Sequence, residues 1–144
     1  MPVHSDAPEL SPALLDALRE ALARGPELRL AVAFGSVAAG TARSDSDLDI
    51  AILPSDPALP LRVELELATE LSNAAGREVD IVRLDRDDPL LHREVAKRSV
   101  AIYEASAGVF AAYRAEAMSR WIDFDETIAP FRARYLARLA RPRA

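Results

Sequence analysis

The segment DSDLDIAIL, residues 45–53, alternates carboxylates with large apolar side chains. Successive side chains of a β-strand point to opposite faces. Asp47 and Asp49 therefore share one face, while Leu48, Ile50 and Ile52 share the other. The apolar face can pack against helices, whereas the acidic face cannot. The segment therefore predicts a strand that is buried on one face and carries two carboxylates on the other.

Apolar spacing in the rest of the 144-residue chain predicts further helices and strands. Helices are expected over residues 11–24, 56–76, 90–99, 108–124 and 127–140, the last interrupted near Pro130, and strands over 27–34, 47–53, 77–84 and 100–105. In the helix over 56–76 the predicted apolar stripe is Leu61, Leu65, Ala68, Leu71 and Ala75. This order is typical of one α/β or α+β domain, with a small mixed sheet backed by helices.

The composition excludes several classes of function. The chain has no cysteine, so it has no disulfide framework, thiolate nucleophile or Cys-ligated metal. Its net charge of -5 argues against a protein that mainly coats nucleic acid, and we expect no direct nucleic-acid partner. The N-terminus does not resemble a signal peptide and no apolar run is long enough to span a membrane, so we expect a cytoplasmic protein.

The acidic strand face suggests a site for a hard cation. Two like charges on one strand face repel each other, and a divalent ion between them relieves that repulsion. Mg²⁺ commonly takes one or two carboxylates and leaves its other positions to water and phosphate oxygens. If the third strand lies beside the second, Asp80 joins Asp47 and Asp49. Three such carboxylates can hold two Mg²⁺ ions for phosphoryl transfer, with Asp80 also the candidate general base.

A Gly-Ser pair at Gly35 and Ser36 ends the first predicted strand. Glycine lets backbone N–H groups approach a phosphate closely, and a serine hydroxyl adds a further donor. A triphosphate would therefore bridge this turn and the metal ions.

Each element also has a simpler interpretation. Asp45 fits a turn with a self-capping side chain, Asp47 with Asp49 fits a solvated strand face, and Asp80 alone fits an exposed position. A calcium loop that starts at Asp45 is excluded because Ile50 and Asp56 replace the glycine and glutamate that such a loop requires. The chain also lacks the G-x-x-x-x-G-K-[ST] motif of a phosphate-binding P-loop.

The order of Gly35-Ser36, ten intervening residues, Asp-Leu-Asp at 47–49 and a later strand aspartate at Asp80 resembles the minimal nucleotidyltransferases of the polymerase-beta-like superfamily. The resemblance implies that Gly35 and Ser36 contact the nucleotide phosphates and that all three aspartates bind metal and take part in catalysis. It implies one nucleotidyltransferase domain over residues 1–144, with a catalytic core at about 10–105 and C-terminal helices at about 106–140.

The length, the segment PLLHREVAKRSVAIYE and the aromatic C-terminal helix are similar to one branch of this superfamily, the adenylyltransferase antitoxins paired with HEPN-type toxins. That branch implies ATP as co-substrate and a tyrosine of the toxin, an RNase, as acceptor. It also implies a hetero-oligomer with the toxin. Many relatives carry arginines after Gly-Ser, where this chain has Val37 and Ala39, so Arg43 is a candidate for the missing phosphate contact.

Two other functions stay open. The same chemistry could modify a small molecule such as an aminoglycoside, or a degraded site could leave an antitoxin that acts only by binding. Arg93, Lys97 and Arg98 are interpreted as solvated helix positions and His92 as a packing or surface residue. Phe110, Tyr113, Met118 and Trp121 have helical spacing, which predicts core positions first and a partner-binding stripe second.

Overall fold

The computed structural model describes residues 10–35 and 47–141. The elements in chain order are α1 (Pro12–Ala23), β1 (Leu28–Phe34), β2 (Leu48–Pro54), α2 (Leu61–Ala75), β3 (Val79–Arg83), α3 (Pro89–Lys97), β4 (Ser99–Glu104) and α4 (Val109–Ala140).

The four strands form one mixed sheet in the order β3-β2-β1-β4. β1 pairs antiparallel with β2 and with β4, whereas β2 and β3 are parallel and are connected through α2. The parallel pair requires such a crossover, because a tight turn can join only antiparallel neighbours. The predicted small mixed sheet with helices is confirmed.

Each face of the sheet packs against a different pair of helices. α1 and α2 cover the face that carries Leu48, Ile50 and Ile52 of β2. α3 and the first part of α4 cover the opposite face, which carries Ala51 of β2 and Val82 of β3. Because side chains alternate along a strand, Asp49 and Asp80 belong to this second face.

The helix ends follow from local sequence. The Ser11 side chain accepts a hydrogen bond from the Leu14 amide at 3.1 Å, with Pro12 in the first turn of α1. Asp88 caps α3 in the same way. α2 ends at Gly76, whose φ of 67° is the left-handed conformation that suits glycine at a helix C-terminus.

Two predictions about α2 are wrong in detail. The helix begins at Leu61, because the side chain of Asp56 accepts a hydrogen bond from the Ala58 amide and holds residues 56–58 in a turn. Its buried face contains Leu67 and Leu71, while Leu61 and Leu65 are exposed. Leu71 of the predicted stripe is thus buried and Ala68 and Ala75 are partly buried, while packing against α1 buries Leu67 in place of Leu61 and Leu65.

The two C-terminal helices predicted from the sequence are one continuous helix, α4, which runs through Pro130. A proline inside a helix removes one backbone hydrogen bond and crowds the preceding turn. Pro130 and Glu126, whose carbonyl loses that bond, are both exposed, so water can replace the partner.

Arg83 fixes the loop between β2 and α2 to the end of β3. Its guanidinium donates to the carbonyls of Pro57 and Leu59 at 2.9 and 3.0 Å, and it forms a two-point ion pair with Asp85. The residue is only 8% exposed, and each of its three guanidinium nitrogens donates a hydrogen bond to an acceptor. Across the described part of the chain, no helix is both long and apolar enough to cross a membrane.

Candidate active site

The structure brings Asp49 and Asp80 together. They are direct partners in the parallel register of β2 and β3, and Asp47 immediately precedes β2 on the same face. The condition stated from the sequence, that the third strand lies beside the second, is therefore met. The acidic positions lie at the end of the sheet where β1 finishes, since Phe34 is the partner of Asp49 on its other side.

The carboxylates influence one another electrostatically. Burial raises the pKa of Asp49 above its ordinary value, and the negative charges of Asp80 and then Asp47 raise it further. Within residues 10–35 and 47–141, none of the three forms an ion pair with lysine or arginine. The described chain thus supplies this acidic patch with no cation of its own.

Gly35 brings the backbone directly against Asp49. Its φ is +74°, a conformation that side chains other than glycine rarely adopt, and a Cβ atom placed there would lie 2.7 Å from Oδ2 of Asp49. The positive φ favours glycine, and any larger residue would displace the Asp49 carboxylate. The sequence suggests Gly35 through phosphate binding, but gives no signal of this second requirement.

Several predicted contributors lie outside the described residues. They are Ser36, Val37, Ala39, Arg43 and Asp45. The predicted role of Ser36 in phosphate binding and of Arg43 as a substitute contact therefore remain predictions.

The donor set fits a hard divalent ion. Carboxylate oxygens are the ligands that Mg²⁺ prefers, and Asp49 is half-buried beside a second carboxylate whose repulsion a cation would relieve. Among the described residues, no three His, Asp or Glu side chains lie close enough together to hold a metal ion. A metal ion at this patch would therefore have to draw the carboxylates together.

A groove of about 480 Å³ lies between α2 and β3, around the sheet edge from the face that carries the acidic side chains. Glu64, Glu78 and Asp80 line it together with apolar side chains of both elements. β3 is an edge strand, so this side of Asp80 is open to an incoming molecule. No local sequence pattern indicates this groove, because it depends on how α2 packs beside β3.

His92 belongs to the interior and not to the acidic site. One ring nitrogen lies 2.7 Å from the Arg86 carbonyl and must donate to it, so the other accepts from the Tyr113 hydroxyl at 2.6 Å. Burial raises the pKa of Tyr113 to about 12. The pair connects α3 to α4, which confirms His92 as a packing residue. Of the aromatic stripe, Phe110, Tyr113 and Trp121 are partly buried, whereas Met118 is exposed.

Residues 16–107, from α1 through β4, match the family model described as polymerase beta, nucleotidyltransferase. The chain belongs to this family. The match includes Gly35 and all three aspartates of the acidic patch, and it confirms the polymerase-beta-like fold expected from the sequence.

Proteins similar to this chain include a protein adenylyltransferase and chains of toxin–antitoxin complexes. The chain is 35% identical over 78 residues to protein adenylyltransferase MntA of Shewanella oneidensis, and the match covers 54% of this chain and 55% of MntA. The matched region thus spans about half the length of that relative. A chain of a toxin–antitoxin crystal structure with AMP-PNP has the same fold, with a TM-score of 0.73, 24% identity, and coverage of 85% of this chain and 98% of that one.

A second structure with this fold contains a tri-AMPylated Shewanella oneidensis HEPN toxin in complex with an MNT antitoxin. Its TM-score is 0.63 at 22% identity, and the alignment covers 85% of this chain and 92% of that one. At this level of identity, both structural comparisons establish the shared fold.

Proposed function

We propose that this protein is a cytoplasmic, Mg²⁺-dependent adenylyltransferase that transfers AMP from ATP to a tyrosine hydroxyl of a HEPN-type toxin and so acts as an antitoxin. The observation that carries the proposal is the pairing of Asp49 with Asp80 on neighbouring strands, with Asp47 on the same face. Membership of the nucleotidyltransferase family supports the reaction type.

Asp47 and Asp49 would hold the metal, with Asp80 completing the set. When bound, the ion would neutralise the triphosphate and the charge that develops on the leaving pyrophosphate. The chain supports this role with a carboxylate, Asp49, whose pKa is raised by burial and then by the negative charges of Asp80 and Asp47. Without a cation, the repulsion among these charges opposes folding.

Asp80 would receive the proton of the acceptor. The acceptor oxygen forms a bond to the α-phosphorus of ATP, the bond between the α-phosphorus and the bridging oxygen breaks, and pyrophosphate leaves. Because Asp80 is exposed on an edge strand, an acceptor hydroxyl can reach it from the side opposite β2.

Gly35 and Ser36 would hold the phosphates. The left-handed turn at Gly35 places backbone against Asp49, so a nucleotide at this turn would also lie beside the carboxylates. Ser36 follows directly and would donate its hydroxyl to a phosphate oxygen.

The choice of acceptor rests on the relatives. MntA is named as a protein adenylyltransferase, and one structure with this fold holds an AMPylated HEPN toxin beside its antitoxin.

The experiment is label transfer from α-³²P-ATP in the presence of Mg²⁺. The purified chain is incubated with lysate of its source cells, beside Asp49→Asn, Asp80→Asn and the exposed control Asp87→Asn. We expect one labelled protein of toxin size, whose modified residue is a tyrosine by mass spectrometry, with wild type and the control but with neither site variant.

Each other outcome identifies an alternative. If only a small molecule is labelled, the acceptor is that molecule and not a protein. If no molecule is labelled, yet the Asp49→Asn variant still neutralises the toxin in cells, the chain is a binding antitoxin and the enzymatic proposal is wrong.

A further inference from the structure

The second half of α4 extends beyond the rest of the domain. The helix has 32 residues, a length of about 48 Å at ~1.5 Å per residue. Ala117 in its first half is its one buried residue among those described. Past Phe124 the side chains of Phe131, Tyr135 and Leu139 are 65%, 62% and 65% exposed.

These exposed residues continue the stripe that the first half of α4 buries. Phe110 and Tyr113 pack against the sheet and α3, and the ring of Trp121 lies under the guanidinium of Arg93. Steps of three and four residues along the same face then lead to Phe124, Ile128, Phe131, Tyr135 and Leu139. The same stripe is thus covered in one half of the helix and uncovered in the other, although such helices gain most of their stability from packing.

The charges of this second half are separated along the helix. Residues 123–126 contain three acids, Asp123, Asp125 and Glu126, while residues 132–141 contain four arginines, Arg132, Arg134, Arg138 and Arg141. Two copies aligned in parallel would place acid beside acid and arginine beside arginine. Two antiparallel copies would place the acidic part of each beside the basic part of the other.

We propose that the exposed second half of α4 pairs antiparallel with the same segment of a second copy of this chain, forming a homodimer. With the two-fold axis near Pro130, Phe124 of one copy faces Tyr135 of the other, and Ile128 faces Phe131. These layers cover the apolar stripe on both helices. The register follows from the stripe and the charge pattern together.

Two further features agree with this register. Pro130 lies two residues from Ile128, which places it on the opposite side of the helix and keeps its ring away from the interface. Asp125 and Arg132 form an ion pair within one helix, seven residues apart on the same flank of the stripe. In the antiparallel pair, Asp125 of each copy also lies beside Arg132 of the other copy. The ion pairs therefore extend across the dimer.

The first experiment measures the mass of the isolated chain by sedimentation equilibrium. We expect a dimer for wild type in the micromolar range. Reversal of the acids (Asp123→Lys, Asp125→Lys, Glu126→Lys) or of the arginines (Arg132→Glu, Arg134→Glu, Arg138→Glu) should each weaken the homodimer by about tenfold or more, because like charges then face each other. An equimolar mixture of the two variants should restore dimers.

A control variant carries the same charge change elsewhere. Asp16→Lys, Glu66→Lys and Glu70→Lys lie on exposed positions of α1 and α2 and should leave the dimer intact. A dissociation constant of about 100 µM is roughly the weakest that such a surface could have and still form a useful dimer. A wild-type chain that remains monomeric at about 100 µM or above would overturn the proposal. So would a dimer that both reversed variants keep unchanged.

The orientation is tested by disulfide formation, which is simple because the chain has no cysteine. In the antiparallel dimer, Phe124→Cys and Tyr135→Cys each lie roughly 16 Å from their own counterpart, which is too far for a disulfide. Mixed together, they should form a covalent heterodimer on mild oxidation. Rapid homodimer cross-linking of either variant alone would indicate a parallel pair and contradict the proposal. Dimerisation that occurs only when the toxin is added would assign the surface to the toxin instead.

Discussion

Two charged clusters lie on β3, three residues apart, and the protein treats them in opposite ways. Arg83 is buried and donates to two carbonyls and to Asp85. Asp80 faces a second carboxylate, Asp49, and the described chain offers the pair no cation. A charge that stabilises a fold is surrounded by partners, whereas a charge kept for a ligand is left incomplete. The comparison indicates that the first cluster maintains the structure, and it supports the proposal that the second binds a ligand.

The largest expected effect is on activity. Asp49→Asn keeps the shape of the side chain but removes the charge that would hold the metal, so the rate of AMP transfer should fall by about a thousandfold. The measurement is the initial rate of label transfer to the acceptor, with folding checked by circular dichroism. A variant that retains a rate within tenfold of wild type would remove Asp49 from the site.

Arg83→Met should show the opposite pattern. It leaves the carbonyls of Pro57 and Leu59 and the Asp85 carboxylate without their donor, so the free energy of unfolding should fall by about 3 kcal/mol. Urea denaturation measures this change. The exposed control Arg62→Met loses only a surface ion pair with Glu66 and should cost less than about 1 kcal/mol. Equal losses in both variants would mean that Arg83 does not act as the structure indicates.

Gly35→Ala should affect both properties. The left-handed φ costs about 1 kcal/mol in any L-residue, and the new Cβ displaces the Asp49 carboxylate, so AMP transfer should fall as well. Gly76→Ala is the matched control, because Gly76 has a similar φ but no atom within 4 Å of the added Cβ. The control should lose the same stability and keep full transfer activity; a loss of transfer in both would attribute the effect to strain alone.

The smallest expected effect is on the pH dependence of stability, which should differ between the Arg83–Asp85 cluster and the Asp49–Asp80 cluster. The pKa of Asp85 is lowered, chiefly by its hydrogen bond with Arg83, so its contribution is fully present above the ordinary value of 3.8 and disappears as the pH falls through the folded pKa. The pKa of Asp49 is raised, so its negative charge destabilises the folded state at neutral pH. This destabilisation declines as the pH falls below the raised pKa and the carboxylate takes up a proton.

Urea denaturation between pH 7 and pH 3 checks both signs. Asp85→Asn should be less stable than wild type at neutral pH and should approach it as the pH falls. Asp49→Asn should be more stable at neutral pH, by less than about 1 kcal/mol, and should also approach wild type in acid. A destabilised Asp49→Asn at pH 7 would show that Asp49 has partners that stabilise it.

The sequence predicts the acidic patch well because strand alternation is a local rule. Alternation places Asp49 and Asp80 opposite Leu48, Ile50 and Ile81, but the expectation that the acidic face cannot pack against helices is wrong, because Ala51, Leu53 and Val82 on that face pack against α3 and α4. The clearance that Gly35 provides for Asp49 depends on a contact between β1 and β2, which no local pattern contains. The same is true of the groove between α2 and β3.

The errors arise where a local rule has two solutions. α2 offers more apolar positions than its packed face takes up: Leu71 of the predicted stripe is buried, but Leu67 is buried in place of Leu61 and Leu65. Pro130 predicts a helix break, but the cost of its missing hydrogen bond is small on a face exposed to water, so α4 continues. In both cases the deciding term is the surroundings of the helix.

Calorimetric titration of ATP into the purified chain, with and without Mg²⁺, tests most directly whether the acidic patch is a metal and nucleotide site. We predict binding that requires Mg²⁺, that is lost in Asp49→Asn and that is retained in Arg62→Met. ATP binding that is equally strong in the absence of Mg²⁺, or that Asp49→Asn leaves unchanged, would contradict the assignment of this site.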